Sequence, residues 1–221
     1  MSEFSFSFSR LNNYETCPFK YLKVDVQRAY SESRDQLEWG NKVHAALANS
    51  LKTGSRLPDG MEPWQKWPDA IRKMPGELLI EQKYALTRDL KPCEYFAPGV
   101  WMRSIADALK INGNRAGVFD WKTGAVKHNS VQLMLSTACV FAYHPEIEKI
   151  RTSFIWLKDG EVTHDDFTRD DIARAWPGVI ERVAEMEAAA KTMNYPPKPG
   201  GLCKQYCPVQ VCQFYQKGSP R

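Results

Sequence analysis

Residues 117–124 read GVFDWKTG. Val118 and Phe119 are strong strand formers and Thr123-Gly124 reads as the exit of a strand. Side chains two apart on a strand share a face, so Asp120 and Lys122 point the same way. Alone, an Asp-x-Lys pair is the ordinary mark of an ion-paired surface edge. Its surroundings decide whether it is anything more.

The preceding stretch, VWMRSIADALKI (100–111), also reads as a strand, and Asn112-Gly113-Asn114 between the two is a hairpin turn signal. If Asn112 pairs with Arg115, or Ile111 with Ala116, the paired numbers sum to 227 and Asp107 falls opposite Asp120. Their Cβ atoms would then be about 5 Å apart, and a tighter turn at Asn112-Gly113 would move Asp107 to a diagonal position roughly 7 to 8 Å away. Either register keeps two carboxylates together, which is unfavourable unless they share a cation. The pattern therefore asks for a hard divalent metal such as Mg²⁺ or Mn²⁺. Lys122, on the same face, would stand beside a metal-bound water or a phosphate oxygen, a constellation suited to hydrolysis.

Outward from this hairpin, LLIEQKYAL (78–86) and IRTSFIWLK (150–158) read as further strands, followed after Asp159-Gly160 by the short strand VTHDDFT. VQLMLSTACVFAYH (131–144) is apolar and long enough for a buried helix, and Thr168 with Asp171 caps a last long helix that runs to about Met193 and contains Pro177. Upstream, residues 7–23 carry Leu11, Tyr14 and Cys17 at helical spacing. QLEWGNKVHAALANSL sets Trp39, Val43, Ala46, Leu47 and Leu51 in one stripe. The Gly- and Pro-rich segment 53–64 is a connection, with a short helix after it up to Met74. Helices, strands, helix, strands, helix describe a central mixed sheet with helices on its faces. One domain is expected, with an amino-terminal helical segment (1–30), a core (31–193) and a carboxy-terminal Cys-rich segment (194–221).

The series GNKVHAAL, IADALKI, VFDWKTG and VQLML resembles the motifs of the PD-(D/E)xK nuclease superfamily, in particular its RecB-like branch of CRISPR-associated and helicase-linked exonucleases. The match runs from Ser9 to Cys212. It implies a restriction-endonuclease-like α/β core and a Mg²⁺- or Mn²⁺-dependent deoxyribonuclease, an exonuclease on DNA ends or single strands before an endonuclease or nickase. Carried over by position, His44 is a metal ligand, Asp107 the bridging carboxylate, Asp120 the second carboxylate and Lys122 the catalytic lysine, with the backbone carbonyl of Trp121 completing the ligands. Glu81 matches a strand acidic residue that binds metal-bound water. Gln132 matches a Gln that positions the nucleic-acid backbone or the Lys. The aromatic residue expected four positions later is here Ser136. DNA is the implied partner, with a helicase or recombination protein opening it, since no P-loop motif is present. A catalytically silent module that binds DNA or protein is the rival reading.

Cys203, Cys207 and Cys212 form a Cys-x3-Cys-x4-Cys run, and Cys17 precedes Pro18 almost a full chain length away. Three clustered thiols and one distant one can complete a four-thiolate site. The set resembles the iron–sulfur staple of RecB-like nucleases, which implies a four-iron, four-sulfur cluster tying the amino- and carboxy-terminal segments. Structural Zn²⁺ is the alternative. Cys139 reads as a small core residue, and Cys93, His128, His144 and His164 have no partners at ligand spacing. Trp64 and Trp67, among Lys66, Arg72 and Lys73, read either as core for the connecting helix or as a platform for bases.

With 221 residues, 43% of them hydrophobic, the chain has ample material for a core, and a net charge of +4 allows a polyanionic partner without demanding one. MSEFSFSFSR lacks a basic n-region and a continuous apolar stretch, and no run of eighteen apolar residues occurs, so the expected location is cytoplasmic with no membrane contact. Six cysteines in that compartment point to metal ligation before disulfides.

Overall fold

The computed structural model describes residues 4–31, 34–126 and 130–216. The chain divides into two units, one formed by Met1–Ser5 with Trp39–Pro177, the other by Phe6–Glu38 with Gly178–Arg221.

The first unit is built on a five-stranded sheet: β1 (Glu77–Leu86), β2 (Met102–Asn112), β3 (Arg115–Lys122), β4 (Lys149–Trp156) and β5 (Glu161–Thr168), in that spatial order. Neighbours are antiparallel except β3 and β4, which run parallel. A parallel pair cannot be closed by a tight turn, and the crossover here is the helix Ser130–Tyr143. That helix is apolar nearly all round, with Leu133, Met134, Leu135, Ala138, Cys139, Val140 and Phe141 buried, as a helix covering a sheet must be.

In chain order the helices are α1 (Phe8–Thr16), α2 (Pro18–Tyr21), α3 (Arg34–Thr53), α4 (Lys66–Lys73), α5 (the crossover helix), α6 (Arg169–Thr192) and α7 (Leu202–Gln205). The stripe of α3 is the one its sequence spacing implies: Val43, Leu47 and Leu51 share a core cluster with Ile71 of α4 and with Ala108, Trp121 and Ile155 of the sheet. Trp121, 1% exposed, is the largest side chain in that cluster, and its truncation to Ala would cost about 3–5 kcal/mol.

Two backbone features fix the register that matters. Gly76, at φ +99°, sits so close to the hairpin end that a Cβ there would lie 2.0 Å from the Ile111 carbonyl oxygen, so only glycine lets β1 start opposite Ile111. At the hairpin itself Asn112 pairs with Arg115, with Gly113 in the left-handed region, and the paired numbers sum to 227 as the turn sequence implies.

The second unit holds α1, α2, most of α6 and the Cys-rich tail. The amino-terminal helix is shorter than its apolar spacing implies, because Cys17 is extended at φ −164° ahead of Pro18. Cys17 closes α1 through its N–H, donated to the Asn13 carbonyl, and opens α2 through its thiol, which accepts from the Lys20 N–H at 3.5 Å. Arg182 grips Glu15 with two bonds of 2.5 and 2.6 Å, and the Tyr14 hydroxyl donates to the Glu185 carbonyl at 3.1 Å. The tail is less irregular than its prolines and glycines suggest, since it contains the single turn of α7. Among the described residues, no helix is long and apolar enough to cross a membrane.

Candidate active site

The β2–β3 ladder ends at Ala108 and Phe119, one pair short of Asp107 and Asp120. Where a carbonyl would continue the ladder, the side chain of Asp107 takes over: Oδ2 accepts the Trp121 N–H at 2.9 Å. The strands open where the two carboxylates stand, and Asp107, 8% exposed, is fixed by a backbone donor of the neighbouring strand. Its other oxygen, Oδ1, lies 3.1 Å from Nδ1 of His44, which α3 supplies one turn beyond Gly40.

Across β1 the register skips one residue. Ile80 pairs with Ala108 and Gln82 with Ala106, which sets Glu81 opposite Asp107, and Glu81 is left-handed at φ +53°. A non-glycine residue held there costs about 1–2 kcal/mol and persists only where its surroundings impose it. The outcome is that one ligand atom each from His44, Glu81 and Asp107 lies within 4.8 Å of the others, and no other group of three or more His, Cys, Asp or Glu approaches so closely among the described residues. The residue type of Glu81 was legible in the strand pattern; its turned backbone was not.

Asp120 and Lys122 are held apart from that trio by a second network. Asp120 Oδ1 accepts the Gln132 amide N–H at 2.8 Å, and Lys122 Nζ donates to Gln132 Oε1 at 3.0 Å. Asp120 Oδ2 closes the triangle 2.7 Å from Lys122 Nζ, as an ion pair without hydrogen-bond alignment. Gln132 is thus a bridge that orients both charged groups, and it comes from the first turn of α5. The Lys122 ammonium also rests 4.8 Å from the centre of the Phe154 ring, the residue paired with Asp120 on β4.

The electrostatics are those of crowded anions. Burial pushes the Asp120 carboxyl up to about 6, with Lys122 pulling it down and Asp107 pushing it up. Burial and then Asp107 raise Glu81. Burial opposes a charged His44, yet its bond to Asp107, together with the fields of Asp107 and Asp120, carries its pKa above the ordinary value. Glu81, Asp120 and His44 are displaced toward the protonated form and crowd with Asp107 in one partly buried patch, which a divalent cation would relieve. Two carboxylates and an imidazole are a donor set that could hold a divalent metal ion.

The four cysteines singled out by spacing come together elsewhere. Cys17, Cys203, Cys207 and Cys212 all line one cavity of about 260 Å³ in the second unit, with Phe19, Lys20, Val209 and Phe214. Backbone N–H groups point at the sulfurs: Lys198 N–H donates to Cys17 Sγ at 3.4 Å and Gly200 N–H to Cys203 Sγ at 3.4 Å. Burial raises the Cys207 thiol. A zinc tetrahedron built on bonds of about 2.3 Å places its sulfurs about 3.8 Å apart. No three of these sulfurs lie within 4.8 Å of one another.

The remaining sequence candidates are structural. Cys139 is buried in α5, the Cys93 carbonyl accepts the Tyr143 hydroxyl at 2.8 Å, and His144 Nε2 lies 3.3 Å from the Tyr84 hydroxyl. His164 pairs with Ser153 in the sheet, and His128 lies outside the described residues. Ser136, where an aromatic was expected, bonds the Ser104 hydroxyl at 3.0 Å.

A family model described as the PD-(D/E)XK nuclease superfamily matches residues 5–213. Among solved structures, a "Putative exonuclease" of Eubacterium rectale aligns with a TM-score of 0.55 at 12% identity, over 95% of this chain and 86% of that one. A protein named SSO0001 aligns with a TM-score of 0.47 at 16% identity, over 97% and 88%. No curated protein matches the sequence.

Proposed function

Since the chain belongs to the PD-(D/E)XK nuclease superfamily, we propose that it is a Mg²⁺- or Mn²⁺-dependent deoxyribonuclease acting on DNA ends or single strands. The observation that carries this reading is the pairing of two networks at the open end of β2 and β3: the His44, Glu81 and Asp107 trio, and the Asp120, Lys122 and Gln132 triangle.

His44, Glu81, Asp107 and Asp120 are the groups that would hold the metal, with the Trp121 carbonyl nearby on β3. When bound, a divalent cation polarises the phosphoryl group and favours ionisation of the attacking water. The chain's own residues do the rest. Asp107, locked by the Trp121 N–H, keeps its carboxylate from rotating away from the site. Lys122, steered by Gln132 and Asp120, presents its ammonium to the phosphoryl oxygens as negative charge grows on them, and orients the water for in-line attack. The phosphorus–oxygen bond opposite the attacking water breaks, the leaving oxygen takes a proton from solvent, and the proton released by the attacking water returns to solvent.

The cysteine cavity is read as a structural site for a four-iron, four-sulfur cluster holding the Cys-rich tail to the segment that carries Cys17. Support comes from four thiols around one cavity and N–H groups directed at sulfur.

The test is incubation of end-labelled single-stranded and duplex DNA with anaerobically purified protein, Mg²⁺ or Mn²⁺, and EDTA controls. Release of short products from an end, abolished by EDTA, is expected. Internal fragments would make the enzyme an endonuclease, and intact DNA would leave a silent binding module. Bound iron with acid-labile sulfide is expected in the same preparation, and stoichiometric zinc would replace the cluster by a zinc site.

A further inference from the structure

One face of the first unit is built in a way the phosphoryl chemistry does not use. A groove of about 550 Å³ is lined by Trp39, Trp64 and Trp67, by Lys66 and Lys158, and by the turn Leu157–Gly160, with Thr123 at one side. Its size is within the ordinary range of small-molecule sites.

Trp39 lies on α3, whose apolar stripe is otherwise buried, yet it is 45% exposed. Its ring meets Trp64 edge-on, with centroids 6.3 Å apart and planes at 62°, so the two indoles form adjacent walls and the Trp39 face is left open. Trp64 and Trp67 are half-buried against the core, which holds the walls rigid. Lys66 Nζ stands 4.7 Å over the Trp67 ring, and Lys158 is exposed on the β4–β5 turn. Two lysines against the single Asp159 leave the rim positive. Arg72, by contrast, is committed to the fold, donating to the Ser50 carbonyl at 3.2 Å.

The groove adjoins the carboxylate site. Thr123 follows Lys122 directly, and the Lys122 carbonyl accepts the N–H of Leu157, another lining residue, at 2.9 Å. Gly40, one turn before His44, faces Thr123: a Cβ there would make ordinary van der Waals contact, 3.9 Å, with Thr123 Oγ1.

We infer that the groove is a base-stacking subsite for an unpaired nucleotide of the substrate strand. Trp39 and Trp64 supply the stacking planes, and Lys66 and Lys158 neutralise the flanking phosphates. The occupant is a single strand, because a base stacked within a duplex has no free face to offer an indole. This inference rests on the nuclease reading and gives that enzyme its preference for unpaired DNA.

The test measures affinity of the full chain for a short labelled single strand and a blunt duplex, with Mg²⁺ and in an Asp120→Asn background. Adding Trp39→Ala is expected to weaken single-strand binding by about 5- to 150-fold, the worth of one stacked base, and leave duplex binding at the parental level. Unchanged single-strand affinity, or equal loss on both substrates, overturns the subsite. Lys158→Ala provides a second reading: the slope of log affinity against log salt for the single strand should shrink by about 0.7, and an unchanged slope overturns the assignment even if Trp39→Ala fails to fold. Metal-dependent cleavage by the parent chain with unchanged Trp39→Ala binding sinks the subsite alone; stacking without cleavage sinks the activity alone.

Discussion

The carboxylate site and the cysteine cavity are both clusters of potential ligands, and they are held in opposite ways. At the carboxylates four of the polar groups are already positioned by another protein group: Asp107 by the Trp121 N–H, His44 by Asp107, Asp120 and Lys122 by Gln132. Around the cysteines the direct support is a few N–H bonds to sulfur of 3.4–3.5 Å, and the tail that carries three of them exposes Leu202, Tyr206 and Val211 to 46, 70 and 66%. The first site is organised by the fold and would spend that organisation on a substrate. The second belongs to a segment too poor in buried apolar surface to hold itself, so its ligand would act as part of the fold.

That contrast makes divergent predictions for substitutions in the two regions. The largest effect belongs to the cavity: Cys17→Ser or Cys203→Ser should abolish soluble, folded protein, because a four-thiolate metal site contributes on the order of 10 kcal/mol to folding. Thermal denaturation and expression yield check this, with Cys93→Ser as the control that should fold normally. A Cys203→Ser protein as stable as the parent would place the tail's stability elsewhere.

At the carboxylates, Asp107→Ala should act on both quantities. It leaves the Trp121 N–H unpaired, at a cost of about 1–3 kcal/mol in denaturant unfolding, and removes a proposed ligand, lowering the cleavage rate by on the order of 10² or more. Loss of rate without loss of stability would mean that the Asp107 bond to β3 is not structural.

Gln132→Ala touches no proposed ligand sphere except through its neighbours. Removing the bridge between Asp120 and Lys122 should lower the rate by about 10- to 100-fold, with the melting temperature nearly unchanged, as for other residues that orient a catalytic group. Rescue by Gln132→Asn would be poor, since the shorter side chain cannot span both partners.

The smallest effect is the most diagnostic of strain. Glu81→Gly removes the penalty of a left-handed Glu and should raise metal-free stability by up to about 1 kcal/mol while reducing activity. A destabilised Glu81→Gly protein would show that the Glu81 side chain holds the fold rather than the site.

Much of this arrangement was readable from residue order. The turn Asn112-Gly113-Asn114 fixes the pairing sum, because a hairpin register is a local property, but the ladder stops at Ala108 and Phe119, and the groups that approach Asp107 as potential ligands are His44 and Glu81. The helical placement of His44 and Gln132 follows from apolar spacing of similar quality. The opening of the ladder just before the carboxylates was not readable, since it arises when the Asp107 side chain replaces a backbone acceptor. The φ of Glu81 was hidden for the same reason: strand patterns report side-chain alternation and are silent on a single reversed dihedral. Of the two readings of Trp64 and Trp67, the structure shows the core packing, and both rings also line a groove. Their shared surface with Trp39 and Lys158 depends on chain segments that only tertiary packing brings together.

Asp120 is proposed to serve chemistry and not the fold, and the Mg²⁺-dependent hydrolysis rate of Asp120→Asn, set beside its melting temperature, decides between the two. The account predicts a rate lower by on the order of 10² or more in a protein that melts no lower than the parent, because the substitution removes a buried charge while keeping the shape. Parental turnover by Asp120→Asn, at any stability, would contradict it.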